Sequence, residues 1–156
     1  MALTLNQQEI TAKAGEGVYA PYPARTFRLS KNLAAPCGPT TPCKLVNENS
    51  KGLPVVTPIT ATTDAVYCVI SYDIRNNSFD KNAKVKGWTA GEVIWLKTSD
   101  AVAVGTPVMA AVNGTVAAQT KGNAVLGIAE SQAGAAGELI AVRLTSPYKI
   151  YGEVTA

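Results

Sequence analysis

An internal repeat constrains the fold of this chain more strongly than any other feature of its sequence. A Thr-Pro phrase, an Ala-Val phrase and a Gly-Glu phrase follow one another in the same order twice, with substitutions inside each phrase. The first copy occupies residues 41–46, 64–70 and 91–96, and the second occupies 106–111, 123–129 and 137–142. Since the order is kept and only the spacers change in length, we interpret the copies as two versions of one β unit.

The length of the chain favours one domain built from both copies. At 156 residues the chain can bury one substantial core but is short for two full-sized domains. We therefore predict a single compact β domain over residues 41–156, with 41–98 as its first half and 99–156 as its second. Residues 1–40 are interrupted by seven Gly and Pro residues and are typical of an extended N-terminal arm.

The predicted arm carries three aromatic residues, Tyr19, Tyr22 and Phe27, that could anchor it to a surface. That surface belongs either to its own domain or to a neighbouring subunit. The alternative is an N-terminal segment that is only loosely ordered, as chain ends often are.

From residue 41 onward the pattern is that of short β-strands. Runs rich in Val, Ile and Thr are bounded by Gly, Pro, Asn or Asp, and none keeps a helical period for three turns, so we predict an all-β sandwich or barrel-like domain. The Asn113-Gly114 pair between two such runs predicts a hairpin with a two-residue type I′ turn. The ten predicted strands span residues 43–46, 53–59, 65–72, 83–86, 92–97, 107–112, 115–119, 124–130, 138–144 and 149–154.

Alternation along the strands assigns their faces. In residues 139–144 the even positions are uniformly apolar, and the repeat transfers this pattern to the first copy. Ile94 and Leu96 are then expected in the core, and Val93 and Trp95 outside it. An outward Trp95 is covered either by the arm or the other sheet, or by another subunit.

The composition disfavours several classes of partner. Charged residues are 16% of the chain, against roughly 25% in an average soluble domain. No cluster of Lys and Arg is interleaved with aromatics, so we expect no nucleic-acid partner. No stretch approaches the roughly 20 apolar residues of a membrane span, and the first residues lack the pattern of a secretory signal. We expect a neutral surface that packs against other proteins, and a chain kept in the cytosol.

Three cysteines, Cys37, Cys43 and Cys68, cannot form a closed disulfide framework, because their number is odd. The five residues between Cys37 and Cys43 do not give the spacing of a zinc knuckle. We expect free structural thiols, with Cys68 buried in a strand, while a Cys37–Cys43 bridge in oxidised protein remains the alternative.

The sequence offers no recognisable catalytic machinery. It contains no His, which removes the commonest general base and metal ligand, and no phosphate or dinucleotide loop. Glu92 and Glu138 occupy equivalent places and could in principle act as an acid and a base, although turn residues are the commoner case. The polar stretch 73–82 lacks the ligand pattern of a calcium loop. We therefore predict no enzyme activity and no catalytic residue, metal, cofactor or small-molecule substrate.

Several of these phrases resemble the small decoration or cement proteins of tailed-phage heads. The similar phrases are Gly-Thr-Pro-Val at residues 105–108, Asn113-Gly114, and the segments 124–129 and 136–144. Segments 69–72, 76–79, 84–85 and 91–94 of the first copy are also similar to that group. The resemblance covers roughly residues 40–145, and its motifs specify a scaffold and not a chemistry.

The resemblance implies a virion protein that is assembled in the host cytoplasm and binds the exterior of the capsid. Its partners would be the major capsid protein and further copies of itself, as a dimer or a trimer, and it would brace neighbouring capsomers. Other phage components remain as alternatives (tail, baseplate or fibre), as does a carbohydrate-binding module that stacks sugars on Trp88, Trp95 and Tyr72. The candidate interface residues are Tyr19, Tyr22, Phe27, Trp88, Val93 and Trp95.

Overall fold

A computed structural model describes residues 31–50, 53–71 and 75–145 of the chain. These residues form eleven β-strands, and no helix occurs among them. The strands are β1 Lys31–Leu33, β2 Pro42–Glu48, β3 Pro54–Pro58, β4 Cys68–Ile70, β5 Lys84–Val85, β6 Gly87–Trp88, β7 Val93–Lys97, β8 Pro107–Ala110, β9 Val116–Ala118, β10 Gly127–Ala129 and β11 Leu139–Leu144. The predicted all-β fold is confirmed.

The strands form two sheets. The first has six strands in the order β5-β1-β3-β2-β4-β6, and the second has five in the order β7-β11-β10-β8-β9. The second sheet curls until its two ends meet, because Thr98, directly after β7, forms a parallel bridge with Val116 of β9. The Ser99 N–H also donates to the Val116 carbonyl at 2.9 Å. The second sheet is therefore almost a closed barrel, which leaves few unpaired backbone groups at its edges.

The two copies of the repeat have the same local pairing. In the first copy β2 pairs antiparallel with β4, and Cys43 lies opposite Cys68. In the second copy β8 pairs antiparallel with β10, and Val108 lies opposite Gly127. These are the residues that the sequence alignment of the copies makes equivalent. The two copies are thus one β unit used twice.

Even an irregular backbone position is shared between the copies. Thr40 and Gly105 precede the first strand of each copy and both have a positive φ, 62° and 79°. Each donates its N–H to the last residue of the partner strand, Thr40 to Ile70 at 2.9 Å and Gly105 to Ala129 at 2.8 Å. The second copy uses glycine here, whereas the first uses a β-branched residue that the left-handed region disfavours.

The third strand of the first copy leaves its own sheet. β7 pairs antiparallel with β11, its equivalent in the second copy, and Trp95 lies directly opposite Ala141. Trp95 and Ala141 are themselves equivalent, so in this strand pair equivalent residues of the two copies lie face to face. The first sheet instead continues from β4 to the two-residue strand β6. The pairing of β7 with β11 connects the first half of the chain to the sheet of the second.

The core follows the alternation that the sequence predicts. Ile94 and Leu96 are buried, while Val93 and Trp95 are exposed by 43% and 63%. The larger apolar cluster lies around the second sheet and also receives Ile59, Val66 and Val69 from the first half. A smaller cluster belongs to the first sheet and consists of Leu33, Cys43, Val56, Cys68, Ile70 and Val85. The predicted inner and outer faces of β7 are confirmed.

Two details differ from the sequence-based predictions. The hairpin between β8 and β9 forms, but the predicted type I′ turn is wrong. A type I′ turn needs a positive φ at both central residues, and here Gly114 has one (83°) whereas Asn113 does not. The Gly114 N–H donates to Ala111 and the Ala111 N–H to Thr115, which gives a three-residue loop with a glycine bulge. The Asn113 side chain accepts hydrogen bonds from the N–H and the hydroxyl of Thr115 instead of adopting the left-handed conformation.

The N-terminal boundary also differs. Residues 31–40, which the composition assigned to the arm, contribute β1 to the interior of the first sheet. β1 pairs parallel with β3 and antiparallel with β5, and Leu33 is 1% exposed. A strand of three residues is too short to give a periodic pattern. The Gly and Pro residues that follow it, at positions 36, 38 and 39, therefore led to the prediction of an arm. Residues 1–30 and the predicted strand 149–154 lie outside the described residues.

Candidate interaction surface

Three of the predicted interface residues, Trp88, Val93 and Trp95, line one groove of about 270 Å³. Its wall is completed by Thr40, Val69, Ile70 and Ile94. The other three predicted interface residues, Tyr19, Tyr22 and Phe27, lie outside the described residues. We name this feature the tryptophan groove.

The groove lies where the edges of the two sheets come together. Trp88 belongs to β6, the last strand of the first sheet, and Trp95 to β7, the first strand of the second. The two indoles differ in their surroundings, because Trp88 is partly buried and packs against the larger apolar cluster. Trp95 is 63% exposed. Trp88 therefore supports the groove from within, whereas most of the Trp95 side chain is accessible.

The exposure of Trp95 follows from its place in the strand pairing. Its side chain is on the outer face of β7, and the residue opposite it is the small Ala141, which cannot cover an indole. Val93 on the same face is 43% exposed and Leu139 of β11 is 58% exposed. Covering the exposed part of one Trp by a partner is worth about 3 kcal/mol at 25 cal/mol per Å². Trp95, Val93 and Leu139 together make this outer face an exposed apolar surface.

Charged groups flank the apolar face without interrupting it. Lys97 follows Trp95 on the outer face and is exposed, and it lies opposite Leu139. Arg143 lies opposite Val93 and its Nε donates to Glu130 Oε1 across the sheet. Arg143 is therefore neutralised locally, whereas Lys97 has no ion pair among the described residues.

The two equivalent glutamates behave as turn residues. A carboxylate oxygen of Glu92 accepts the N–H of Thr89 at 3.0 Å, and one of Glu138 accepts the N–H of Gly134 at 2.7 Å. The strands that they begin run antiparallel, so the two residues stand at opposite ends, about six residues or 20 Å apart. At that separation they cannot act together on one substrate.

The cysteines come together in the smaller cluster. Cys43 and Cys68 are buried and Cys37 packs against them, and all three are free thiols. The hydrogen bond with Cys43 lowers the pKa of Cys37, while the pKa of Cys43 is raised by this hydrogen bond and by burial. Burial raises the pKa of Cys68 to about 12. Only Cys37 combines partial exposure with a lowered thiol pKa, which is the setting of a more reactive cysteine.

A turn of the first half is fixed by a carboxylate. Asp64 Oδ2 accepts hydrogen bonds from Lys44 Nζ at 2.9 Å, from the Thr60 N–H at 2.8 Å and from the Ala61 N–H at 3.1 Å. The Lys44 ammonium and these donors lower the pKa of Asp64 to about 2. The same turn meets the second half, since the Ala124 N–H donates to the Thr62 carbonyl at 3.0 Å. Asp64 thus stabilises a junction between the copies.

The remaining predictions concern metal binding, membrane spans, the polar stretch 73–82 and sugar stacking. Within residues 31–50, 53–71 and 75–145, no group of three or more His, Cys, Asp or Glu side chains is arranged to hold a metal ion. The described part of the chain has no helix long and apolar enough to cross a membrane. In the polar stretch 73–82, Phe79 pairs with Cys37 and so ties the loop to the first sheet. Tyr72, one of the three sugar-stacking candidates, lies outside the described residues.

The groove itself could not be found from the sequence. The pattern transferred from residues 139–144 indicates that Trp95 faces outward, but nothing local indicates that Trp88 of another sheet lies beside it. The strand that places Trp88 there, β6, could not be predicted, because two residues, Gly87–Trp88, are too few to give a periodic pattern.

Comparison with known proteins gives one similar fold among solved structures. No protein-family model matches the chain, and no curated protein matches it. Among solved structures, the chain is similar to the N base of head fiber gp8.5 in bacteriophage phi29. The two have 13% sequence identity and a TM-score of 0.55, over 78% of this chain and 94% of that chain. At this identity the similarity shows a shared fold.

Proposed function

We propose that this chain is a structural protein of a phage virion that binds the exterior of the assembled head and braces neighbouring capsomers. The observation that carries the proposal is the shared fold, which covers 94% of a head fiber base. The sequence phrases that resemble head decoration proteins support the same assignment independently. The function is one of contact, and no catalytic step is part of it.

The tryptophan groove is the proposed contact surface of the β domain. A capsid offers the same site many times, so a modest affinity at each copy is enough to hold a layer of subunits in place. The exposed Trp95 and Val93 supply an apolar centre, and Lys97 lies at its margin. An aromatic anchor within a small apolar patch is the usual form of such a contact.

Residues 1–30 are the second proposed contact, through Tyr19, Tyr22 and Phe27. Deleting residues 1–30 should leave a folded β domain with weak capsid binding, because the deletion stops before β1. Deleting residues 1–40 is the comparison variant, and we expect it to unfold, because it removes Leu33 from the core. Failure of the shorter deletion to fold would assign the arm to the core of the domain.

The test of the whole proposal is electron microscopy of the virus that encodes this chain. Particles should carry density for the β domain on the head exterior, and the density should disappear from particles made without the protein. The second candidate is the base of a fibre, which the name of the phi29 relative favours. Density that continues outward into a fibre would select this candidate, and density at the tail alone would contradict both.

A further inference from the structure

Cys37 and Cys43 occupy positions that the fold brings together. Cys37 exchanges both backbone hydrogen bonds with Phe79, at 3.0 Å and 2.7 Å, and Cys43 lies within β2. The five residues between the cysteines include a turn at 39–40. Cys43 belongs to the smaller apolar cluster and Cys37 packs against that cluster. Both backbones are therefore held by strand pairing while their side chains enter one cluster.

The second copy has the same arrangement without the thiols. Val102 is the equivalent of Cys37 and exchanges both backbone hydrogen bonds with Ala133, at 3.0 Å and 2.9 Å. Val108 is the equivalent of Cys43, and both valines are buried in the larger apolar cluster. The fold thus packs these two positions into one cluster in each copy, and the first copy has a thiol at each of them.

The third thiol of the cluster faces another strand. Cys68 lies opposite Cys43 in the pairing of β2 with β4. A Cβ at Gly87 of β6 would stand 2.9 Å from the Cys68 sulfur, and β6 is on the side of β4 away from β2. The Cys68 sulfur therefore packs toward β6, whereas the Cys43 thiol donates a hydrogen bond to Cys37. Cys37 is thus the partner that the cluster gives to Cys43.

The three thiols differ in reactivity. Cys37 is partly exposed, whereas Cys43 and Cys68 are buried. The hydrogen bond from Cys43 stabilises the Cys37 thiolate and lowers the pKa of Cys37, while burial raises the pKa of Cys68 to about 12. Since the thiolate is the nucleophile in thiol oxidation, Cys37 is the thiol that an oxidant both reaches and reacts with first.

We propose that Cys37 and Cys43 form an oxidation site, at which hydrogen peroxide joins them into an intramolecular disulfide. The Cys37 thiolate attacks one oxygen of the peroxide and the O–O bond breaks, which leaves Cys37 as a sulfenic acid and, after protonation, one water. The Cys43 sulfur then attacks the Cys37 sulfur, so that the S–S bond forms and the S–O bond breaks. The hydroxyl group leaves with the Cys43 proton as a second water, and two thiols have been oxidised by one peroxide.

The first step prepares the second. The largest cause of the raised pKa of Cys43 is its hydrogen bond with Cys37. Oxidation of Cys37 removes the thiolate that holds this proton, so Cys43 becomes easier to deprotonate and can attack the sulfenic acid.

The disulfide would close a ring over residues 37–43, and this ring contains Thr40, which lines the tryptophan groove. Disulfides persist outside the reducing cytosol. The groove wall of a virion protein would therefore be adjustable during assembly and fixed after release from the host. This consequence for the virion rests on the proposed function, whereas the disulfide itself does not.

Peptide mapping of the oxidised whole chain tests the pairing. Trypsin cleaves after Lys and Arg, which places Cys37 and Cys43 in one peptide, 32–44, and Cys68 in another, 52–75. After treatment with hydrogen peroxide and then iodoacetamide, peptide 32–44 should lose two hydrogens and peptide 52–75 should be alkylated. A disulfide between 32–44 and 52–75 or between two copies of 32–44, a Cys37 oxidised further without a bridge, or complete alkylation would each overturn the proposal.

Alkylation rates test the order of reactivity without any substitution. In the reduced, folded chain iodoacetamide should label Cys37 at least about tenfold faster than Cys68, because each unit of pKa changes the thiolate fraction about tenfold. In urea the two rates should become similar. Equal rates in the folded chain would contradict the assignment of Cys37 as the attacking thiol.

Two matched variants test the partner. Cys43→Ala should abolish the ring and leave a Cys37 sulfenic acid that dimedone labels, whereas Cys68→Ala should leave the yield of the ring unchanged. Loss of the ring in Cys68→Ala, or its retention in peptide 32–44 of Cys43→Ala, would contradict the pairing.

Amide hydrogen exchange tests the effect on the groove wall. The Thr40 amide donates to Ile70 and the equivalent Gly105 amide donates to Ala129, so Gly105 is a matched control without flanking thiols. Oxidation should slow exchange at Thr40 by about tenfold and leave Gly105 unchanged. No change at Thr40, or equal slowing at both amides, would exclude a local effect of the ring. These measurements use no capsid, so their failure is distinguishable from failure of the proposed function.

Discussion

The two copies of the repeat share their pairing but differ in what they do with their third strand. In the second copy β8, β10 and β11 remain neighbours in one sheet, whereas in the first copy β2 and β4 stay behind and β7 crosses to β11. The barrel-like sheet therefore consists of the strands of the second copy together with β7 of the first, and the other strands of the first copy form the additional sheet. The repeat accounts for the strand pairing that the copies share. The exposed apolar side chain on β7 depends on a difference between equivalent residues, Trp95 and Ala141.

The largest difference in tolerance to substitution should occur at Gly127 and its equivalent Cys68. A Cβ at Gly127 would collide with the backbone of Arg143 on the neighbouring strand, whereas Cys68 has room for its side chain. We expect Gly127→Ala to lower the free energy of unfolding by about 3 kcal/mol, because β10 and β11 must separate. Urea denaturation measures this loss.

Gly134→Ala is the control, because a Cβ there meets nothing within 4 Å. It should change the free energy of unfolding by less than about 0.5 kcal/mol. If Gly127→Ala were equally neutral, the pairing of β10 with β11 would have to be revised.

The next effect distinguishes Asp64 from its equivalent Asn123, because only the first copy has an ionisable group here. The pKa of Asp64 is lowered to about 2, so its stabilising contribution is complete above the unfolded value of about 4 and is lost as the pH falls toward 2. We expect Asp64→Asn to cost about 1 kcal/mol at pH 7, after allowance for solvent screening, and almost nothing at pH 2.

Thermal unfolding between pH 2 and pH 7 measures this effect. Asp100→Asn is the control, since the Asp100 carboxylate bonds only to the adjacent Ala101 N–H among the contacts of the described chain. The same pH dependence in Asp64→Asn and in the unaltered protein would exclude the turn as its source.

A smaller effect of the opposite sign should occur at Thr40, which the second copy replaces by Gly105. Both positions have a positive φ, and a non-glycine residue in the left-handed region costs roughly 1 kcal/mol. Thr40→Gly should therefore stabilise the protein by up to about 1 kcal/mol, and Gly105→Thr should destabilise it by a similar amount. A loss of stability in Thr40→Gly would mean that its side chain makes a contact that outweighs the strain.

These comparisons also indicate how far the sequence can predict this fold. The faces of β7 follow from the repeat, because the alternation in residues 139–144 can be transferred to residues 93–97 and the side-chain period of a strand is two whatever its neighbours are. The sheet to which β7 belongs does not follow, because Ile94 and Leu96 would be buried equally well beside β4 or β11. Pairing depends on contacts that are distant in the sequence, and the repeat makes both choices compatible with the local pattern.

The candidate site was predictable in part for the same reason. Trp95 was identified because the faces of residues 139–144, transferred through the repeat, place it outside the core, and the structure leaves it exposed. The hairpin at Asn113-Gly114 was predicted correctly but its turn type was not. Asn113 accepts the Thr115 N–H with its side chain, and Asn in a turn can either do this or adopt the left-handed conformation. The strand β1 was hidden because three residues, Lys31–Leu33, give no periodicity.

The smallest expected change in stability is at Trp95, where the copies differ most in size. Trp95→Ala should leave the free energy of unfolding within about 0.5 kcal/mol of the unaltered protein, because a 63% exposed side chain contributes little to the core. Leu96→Ala, one residue further, removes a side chain that is 2% exposed and should cost about 2 to 5 kcal/mol.

Trp95→Ala should affect binding to a partner much more than it affects stability. Trp95→Ala should weaken attachment to capsids or self-association roughly a hundredfold, which corresponds to the loss of about 3 kcal/mol of apolar burial. Sedimentation of the variant with purified heads measures this directly. A large fall in melting temperature with binding intact would mean that Trp95 belongs to the core after all, and that the difference from Ala141 serves packing within the domain and not recognition by a partner.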